Sequence, residues 1–323
     1  MTWMPFACLG VGAAIGWRGL SSRVLAKIDM ATTVALVALM LTVGTNIGAS
    51  DAIMGNLPFI GLRCAAISLL AIGFSVAFTV LAEKTVLPLD KAAFEIPREG
   101  GGSEDAASDA GGVGGAGDGG GSPLVWLMPA SIVTGVAFGF FLMPKPYAYF
   151  LDYSLTVALV ALYVSVGISL GASREVLKYV RRLGARVLFL PAAILAGSLS
   201  GGFLAGLALN LPMHVPVMSA AGMSYYSITG AYMSQAYGVE TGTYGFIVNV
   251  MREFFTVSSL PLLIRISRGS PIAAGAAGDM DAMLAPVTKF VGAELGLVTL
   301  FTGTVLTFLA PFLLPLLNVL LSP

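Results

Sequence analysis

The sequence predicts an all-α polytopic membrane protein with about eight transmembrane helices, one or two re-entrant or discontinuous segments, and an inverted internal repeat. Of 323 residues, 57% are hydrophobic and 11% are charged, and the mean hydropathy is +0.89, which is not the composition of a soluble domain. The apolar residues fall in blocks of about 20, enough to cross a hydrocarbon core of roughly 30 Å as helix. One of these blocks occurs twice.

The apolar blocks predict eight crossing helices. They lie near 3–18, 28–49, 57–82, 124–142, 149–172, 186–209, 243–264 and 291–320. Two further apolar stretches, near 213–236 and 276–290, are interrupted by Gly, Pro and small polar residues. The first block has its basic residues after the apolar run, so we expect a retained helix and not a signal peptide.

A hydrophilic segment, 83–123, separates two groups of helices. Its core, 100–121, is nearly all Gly, Ala, Ser and Asp, which cannot bury enough apolar surface to offset the entropy of the chain. We therefore predict a flexible cytoplasmic linker. It divides the chain into a first three-helix unit (1–82), a second three-helix unit (124–210) and a C-terminal part (211–323).

Basic residues set the predicted orientation. They follow the first and fifth helices as Arg18, Arg23 and Lys27, and as Arg174, Lys178, Arg181, Arg182 and Arg186. By the positive-inside rule both loops are cytoplasmic, which places both termini outside. Arg265 and Arg268 also fit a cytoplasmic loop, so stretch 213–236 is predicted to enter and leave the membrane from the same side. A full crossing that leaves both arginines outside is the alternative.

The repeat is TVALVALMLTVGTNIGAS at 33–50 and TVALVALYVSVGISLGAS at 156–173. Each copy is the second helix of a three-helix unit, and an odd number of crossings per unit inverts the second copy. Inverted repeats favour secondary transport, although duplication also builds proteins that transport nothing. After the shared GAS, the first copy continues with Asp51 and the second with Arg174; the Thr-Asn pair ending at Asn46 is Ile-Ser in the second.

Two acids are candidates for binding a substrate or a proton. Glu253 lies about ten residues inside a predicted helix, where a charge costs several kcal/mol unless it is paired or hydrated. Asn249 shares its face one turn earlier, whereas Arg252 points away and is expected to pair elsewhere. A buried ion pair that locks helices is the alternative for Glu253. Asp51 is reachable from an outer vestibule or is an ordinary helix-end acid, and Arg63 snorkels or pairs with it.

The first interrupted stretch holds hydroxyl groups between two glycines, Gly222 and Gly230, which are expected to act as hinges. These hydroxyl residues are Ser224, Tyr225, Tyr226, Ser227 and Thr229. A broken segment of this kind coordinates solutes or ions at the middle of a membrane; helix packing through small residues is the alternative. Asp279 and Asp281, in the second interrupted stretch, form either a capping turn or a second half-helix site.

Several classes of function are disfavoured. No nucleophile with an adjacent base, zinc spacing or cofactor fingerprint is found, so we expect neither an enzyme nor a bound metal or cofactor. With 17 basic and 17 acidic residues, nothing favours nucleic acid as a partner. A channel or a membrane scaffold is a different class of protein that the sequence leaves open. The sequence is also compatible with a homodimer.

Four segments resemble the bacterial lysine exporter family, LysO type. They are GMSYYSITGAYMSQAYG (222–238), NVMREFF (249–255), RISR (265–268) and MDAMLAP (280–286). The resemblance implies export of L-lysine, and of toxic analogues such as thialysine, across the bacterial inner membrane. It also implies essential intramembrane acids, which fall on Asp51 and Glu253. The chain departs from the family in its Gly-rich linker and at Asn249, where an aspartate often stands.

A cationic substrate also suits the acids physically. Moving one positive charge out against an inside-negative potential costs about 2.3 kcal/mol per 100 mV, and exchange for one proton cancels that cost. Glu253 or Asp51 is predicted to bind either the lysine ammonium or a proton, with the hydroxyls and backbone of 222–230 holding the α-amino and carboxylate groups. The alternative is a carrier of an organic anion, coupled to sodium or protons, which would need Arg63 or Arg252.

Overall fold

The computed structural model describes residues 4–18, 22–85, 123–141, 148–172, 185–292 and 295–321. Most of the predicted linker lies outside these ranges, as does Arg174. Within them, every regular element is a helix, as the composition predicts. The α-helices are α1 (Met4–Trp17), α2 (Ser22–Ala49), α3 (Asp51–Thr85), α4 (Pro123–Phe141), α5 (Ala148–Ala172), α6 (Phe189–Leu209), α7 (His214–Ala221), α8 (Tyr226–Tyr237), α9 (Val239–Ile266), α10 (Gly269–Gly275), α11 (Leu284–Val291) and α12 (Gly296–Leu321).

The long helices make this a multi-pass membrane protein. In the described part of the chain, 5 helices are long and apolar enough to cross a membrane: Met30–Ala49, Ile53–Thr85, Arg186–Leu209, Val239–Ile266 and Gly296–Leu321. Shorter apolar helices are formed by Met4–Trp17 and Tyr153–Ile168. Eight crossings remain a prediction.

The first six helices pack in three pairs: α1 with α5, α2 with α4, and α3 with α6. In all three pairs glycines let the backbones touch, and in the first two pairs both helices supply them. A Cβ on Gly12 would collide with the carbonyl oxygen of Val164, and one on Gly135 would lie 2.5 Å from that of Leu41. Each of the four helices carries two glycines four residues apart, a spacing typical of close helix packing in membranes: Gly12 and Gly16, Gly44 and Gly48, Gly135 and Gly139, Gly167 and Gly171.

Helices α7 and α8 fold back on each other and form hairpin 1 (214–237). The ring of His214, at the first residue of α7, stacks on the ring of Tyr237, at the last residue of α8, with centroids 4.4 Å apart. The two ends of this segment therefore lie together, and its turn lies deep between α9 and α12.

Hairpin 2 (269–291) consists of α10, a 3-10 turn at Ala276–Met280, and α11. Its first N–H, at Gly269, donates to Glu83 Oε1 at the end of α3, at 2.6 Å. Its last residue, Val291, returns to the buried cluster that holds Leu263 near the end of α9. The tips of the two hairpins meet, where the Ala277 N–H donates to the Met223 carbonyl at 2.9 Å.

Several elements begin at other residues than the sequence predicts, and three of these differences have a clear reason or consequence. Helix α3 begins at Asp51, before Pro58, because a proline is tolerated inside a long helix whose other turns are intact. The second interrupted stretch begins earlier, at Gly269. Helix α12 begins later than predicted, at Gly296, because Gly292, with φ of 98°, ends α11.

Candidate functional site

Hairpin 1 turns at Met223 and Ser224, whose φ angles of 50° and 80° are left-handed. Each such residue costs on the order of 1–3 kcal/mol and persists only when its surroundings hold it. The two left-handed residues are thus not the predicted hinges: Gly222 lies in the same turn but is right-handed, and Gly230 lies within α8. A hinge role for these two glycines stays a prediction. Gly222 makes room for a neighbour, because a Cβ there would collide with Thr229 Oγ1.

Asn249 holds this turn in place. Its Oδ1 accepts the backbone N–H of Ser224 at 2.7 Å, and its Nδ2 donates to the carbonyls of Ser219 (2.9 Å) and Gly245 (2.7 Å). Thr229 donates to the carbonyl one turn earlier, at 2.7 Å. The structure thus places Asn249 and Thr229, both predicted as binding residues, behind the tip.

The tip of hairpin 2 is fixed from two sides. Besides the Ala277 bond to Met223, the Thr307 hydroxyl of α12 donates to the Ala277 carbonyl at 3.0 Å. Helix α12 passes so close that a Cβ on Gly303 would collide with the backbone nitrogen of Met280. Both tips are therefore held against one long helix.

A cavity of about 40 Å³ lies between the tips, with room for a few water molecules. The sequence predicted six of its lining residues: Ser224, Tyr225, Tyr226, Ser227, Glu253 and Asp281. It missed Leu36, Ala277, Gly278, Ala282 and Thr307. Ala277 and Gly278 could have been predicted, because a backbone that borders a cavity needs small side chains and small residues precede Asp281 in the sequence.

The cavity is acidic. Glu253 enters from α9 and Asp281 from hairpin 2, and the two carboxyl groups are close enough to interact electrostatically. Glu253 Oε1 would lie 3.4 Å from a Cβ on Gly278, so this carboxylate reaches the second tip. No lysine, arginine or histidine lines the cavity among the described residues. Two carboxyl groups without a basic partner in the lining suit a cation.

Arg252 points away from the cavity, as the sequence predicts, and is buried. Its Nε and Nη2 donate to the carbonyls of Ala274 (3.1 Å) and Ala273 (3.0 Å) of α10. Nη1 donates to the Ser198 hydroxyl of α6 at 2.7 Å, and Nη2 also donates to that of Ser75 in α3 at 3.2 Å. One guanidinium thus joins α9 to three other helices through neutral oxygens.

Asp51 is far from this cavity. It begins α3, and its side chain lies outside the described part of the structure. Ser75, at the level of Arg252, lies roughly 36 Å further along the same helix, at 1.5 Å per residue. Asn46, which is buried, lies roughly 15 Å beyond Leu36, the lining residue of α2. The structure therefore does not bring Asp51 or Asn46 to the hairpin tips.

Arg63 does not fit the suggested pair with Asp51, because roughly 18 Å of helix separates the two positions. Its Nη1 donates to the Tyr244 hydroxyl at 3.4 Å, and its guanidinium lies 4.1 Å from the centroid of the Phe59 ring. Arg63 also borders a larger cavity, of about 390 Å³, at the base of hairpin 1, which His214 and Glu240 line as well.

Comparisons with known proteins identify the family of this chain. A family model described as Lysine exporter LysO matches residues 130–318. A similar relative is the lysine exporter LysO of Escherichia coli K12, 28% identical over 156 residues, which cover 48% of this chain and 52% of that protein. The chain also resembles a Haemophilus influenzae Rd protein named "Putative lysine exporter", 26% identical over 185 residues, 57% of this chain and 93% of that protein.

The chain therefore spans about half the length of the first relative and most of the second. The family model covers more than half of this chain and runs from α4 to α12. It includes both hairpins, Asn249, Arg252 and the acids at the cavity. The chain belongs to the lysine exporter LysO family.

Proposed function

We propose that the protein is a secondary active transporter that exports L-lysine or a related cationic amino acid, thialysine included, across the bacterial inner membrane in exchange for protons. The observation that carries this proposal is the pair of carboxyl groups, Glu253 and Asp281, at a cavity between two hairpin tips that no basic side chain lines among the described residues. Membership of a family described as lysine exporters favours lysine over other cations.

The substrate would bind with its side-chain ammonium at the carboxyl groups. Its α-amino and carboxylate groups would meet the hydroxyls of Ser224 and Ser227 and the free backbone groups of the tip, because a broken helix leaves such groups unpaired. The Ser224 hydroxyl is buried and lacks a hydrogen-bond partner within the described structure. It is therefore available to a ligand.

A cavity of about 40 Å³ does not hold a lysine, so the tips must separate for binding. The hydrogen bond from the Ala277 N–H to the Met223 carbonyl is the contact that would break. The base of hairpin 1 adjoins Arg63 and that of hairpin 2 adjoins Glu83, so the two hairpins enter from opposite ends of α3. With the predicted orientation, hairpin 1 opens to the outside and hairpin 2 to the cytoplasm, which is the arrangement that alternating access needs.

The inverted repeat belongs to the same proposal. Helices α1, α2 and α3 of the first unit correspond in order to α4, α5 and α6 of the second. A two-fold relation between the units would therefore make a pair of α1 with α5 equivalent to a pair of α2 with α4, and a pair of α3 with α6 equivalent to itself. These are the observed pairs, and four helices share the glycine spacing. Eight crossings, the re-entrant nature of hairpin 1 and the linker between the units complete the proposed topology.

Proton coupling follows if Glu253 or Asp281 binds the lysine ammonium and a proton in turn but never both. Exchange of one lysine for one proton at the cavity moves no net charge, so the membrane potential does not oppose this exchange. Asp51, at the far end of α3, would then act on the path to or from the outside and not in the same cavity.

A ligand panel tests the substrate class. We expect lysine, ornithine and arginine to raise the melting temperature of the purified protein, because ligands that bind only the folded state stabilise it. Glutamate and citrate should leave it unchanged. Stabilisation by citrate or glutamate alone would contradict a cation site and would favour the organic-anion carrier. The Ser258→Ala variant, at an exposed position of α9, is the control.

A further inference from the structure

Asp279 is a third acid near the tips, but it faces away from the cavity. It lies in the 3-10 turn of hairpin 2, two residues before Asp281, and does not line the cavity. Its side chain has 0% exposure. Gly275 makes room for the carboxyl group, since a Cβ there would collide with Oδ1, and Gly303 of α12 closes the other side of the residue.

Neither carboxylate oxygen of Asp279 has a hydrogen-bond partner within the described structure. Two charged groups act on it: Arg252 from α9 and Asp281 from its own segment. Helices α10 and α12, which pack around it, carry no titratable side chain. The N–H groups of Arg252 donate hydrogen bonds to neutral oxygens of α3, α6 and α10.

Burying an ionised carboxylate without hydrogen bonds costs several kcal/mol, and a cation whose hydrogen bonds go to other groups offsets only part of that cost. The neutral carboxylic acid is the form that fits this environment. Ala277 and Gly278, which touch the first tip and the cavity, belong to the same 3-10 turn. Any movement that opens the cavity at hairpin 2 therefore also moves Asp279 relative to Arg252.

We propose that Asp279 is a second proton-binding site, separate from the substrate cavity, which holds a proton while the tips are in contact and releases it when hairpin 2 moves. Its ionised form is stabilised by Arg252 once the carboxyl group leaves its present surroundings. The protonation itself is independent of what the cavity binds, whereas the coupling to transport rests on the proposed lysine export.

Infrared spectroscopy of the purified protein tests the protonation directly. Subtracting the spectrum of Asp279→Asn from that of the wild type at neutral pH should show the C=O band of a carboxylic acid. If the difference spectrum instead shows the bands of an ionised carboxylate, the proposal is overturned. Glu253→Gln is the matched control for a neighbouring acid. Because asparagine mimics the neutral acid, the melting temperature should be retained; a marked fall would mean that the fold needs the ionised group, which also contradicts the proposal.

Vesicles with reconstituted protein test the coupling. Asp279→Asn should keep exchange of labelled for unlabelled lysine, while the number of protons moved per lysine falls from two, one bound at the cavity and one at Asp279, to the one bound at the cavity. An unchanged ratio would overturn the coupling role. If the wild type moves no lysine, the proposed function fails, and the infrared result still decides whether Asp279 carries a proton.

Discussion

At the scale of residues, the site depends on groups that hold the hairpin tips as much as on groups that face the cavity. Asn249 is the clearest case, since its amide accepts the N–H of the left-handed Ser224 and donates to the carbonyls of Ser219 and Gly245. Glu253, one turn later on the same helix, faces the cavity. Successive turns of α9 therefore support the tip and line the cavity.

Replacing Asn249 should destabilise the protein. Asn249→Ala removes three hydrogen bonds and leaves the Ser224 N–H buried without a partner, which should lower the free energy of unfolding by about 2–4 kcal/mol. Denaturant titration in detergent measures this change. Ser258→Ala, which removes an exposed hydroxyl from the same helix, should change it by less than about 0.5 kcal/mol. Equal stabilities for the two variants would show that the amide does not hold the tip.

At the scale of elements, glycines decide which helices touch. Gly12→Ala places a methyl group against the α5 backbone and should cost about 1–3 kcal/mol of stability. Gly10→Ala, in the same helix but with nothing within 4 Å of its Cβ, should be neutral or stabilising by up to about 1 kcal/mol. The difference between the two melting temperatures checks this packing. If the two variants have the same melting temperature, the backbones of α1 and α5 are not in close contact.

The proposed transport requires the hairpin tips to separate, so a covalent link between them should stop it. A Cβ on Gly278 would lie 3.4 Å from the Cβ of Ser224, close to the spacing of a disulfide. In a background without Cys8 and Cys64, the double variant Ser224→Cys and Gly278→Cys should lose lysine transport on oxidation and regain part of it on reduction. Each single variant is a control. Transport by the oxidised double variant would show that the tips stay together.

How far the sequence predicted these elements depends on the kind of information each needs. Apolar block length predicted the long helices, and interruption by Gly, Pro and polar residues predicted the position of hairpin 1. The same signal placed the second interrupted stretch at 276–290 and so missed α10. The contact between Ala277 and Met223 could not be predicted, because it joins residues far apart in the chain through backbone groups that carry no sequence signal. The same holds for Arg252, whose oxygen partners come from three other helices.

At the scale of the whole molecule, the structure separates two acids that the sequence had grouped. Depth within a predicted helix singled out Glu253, and the asymmetry with Arg174 and the family resemblance added Asp51, but distance along the chain does not reveal distance between sites. The structure places Asp281 beside Glu253 and leaves Asp51 at the far end of α3. We therefore expect Asp51→Asn to keep lysine-induced stabilisation of the purified protein, whereas Glu253→Gln loses it. Loss of stabilisation in both variants would return Asp51 to the substrate site.

The central claim is that a carboxyl group at the hairpin tips exchanges a cationic amino acid for protons. The most direct measurement is uptake of labelled lysine into vesicles of reconstituted protein whose interior is more acidic than the bath. We predict accumulation by the wild type as protons leave, none without the pH gradient, and none for Glu253→Gln, with Ser258→Ala matching the wild type. Full gradient-driven uptake by Glu253→Gln, or wild-type uptake that ignores the gradient, would contradict this account.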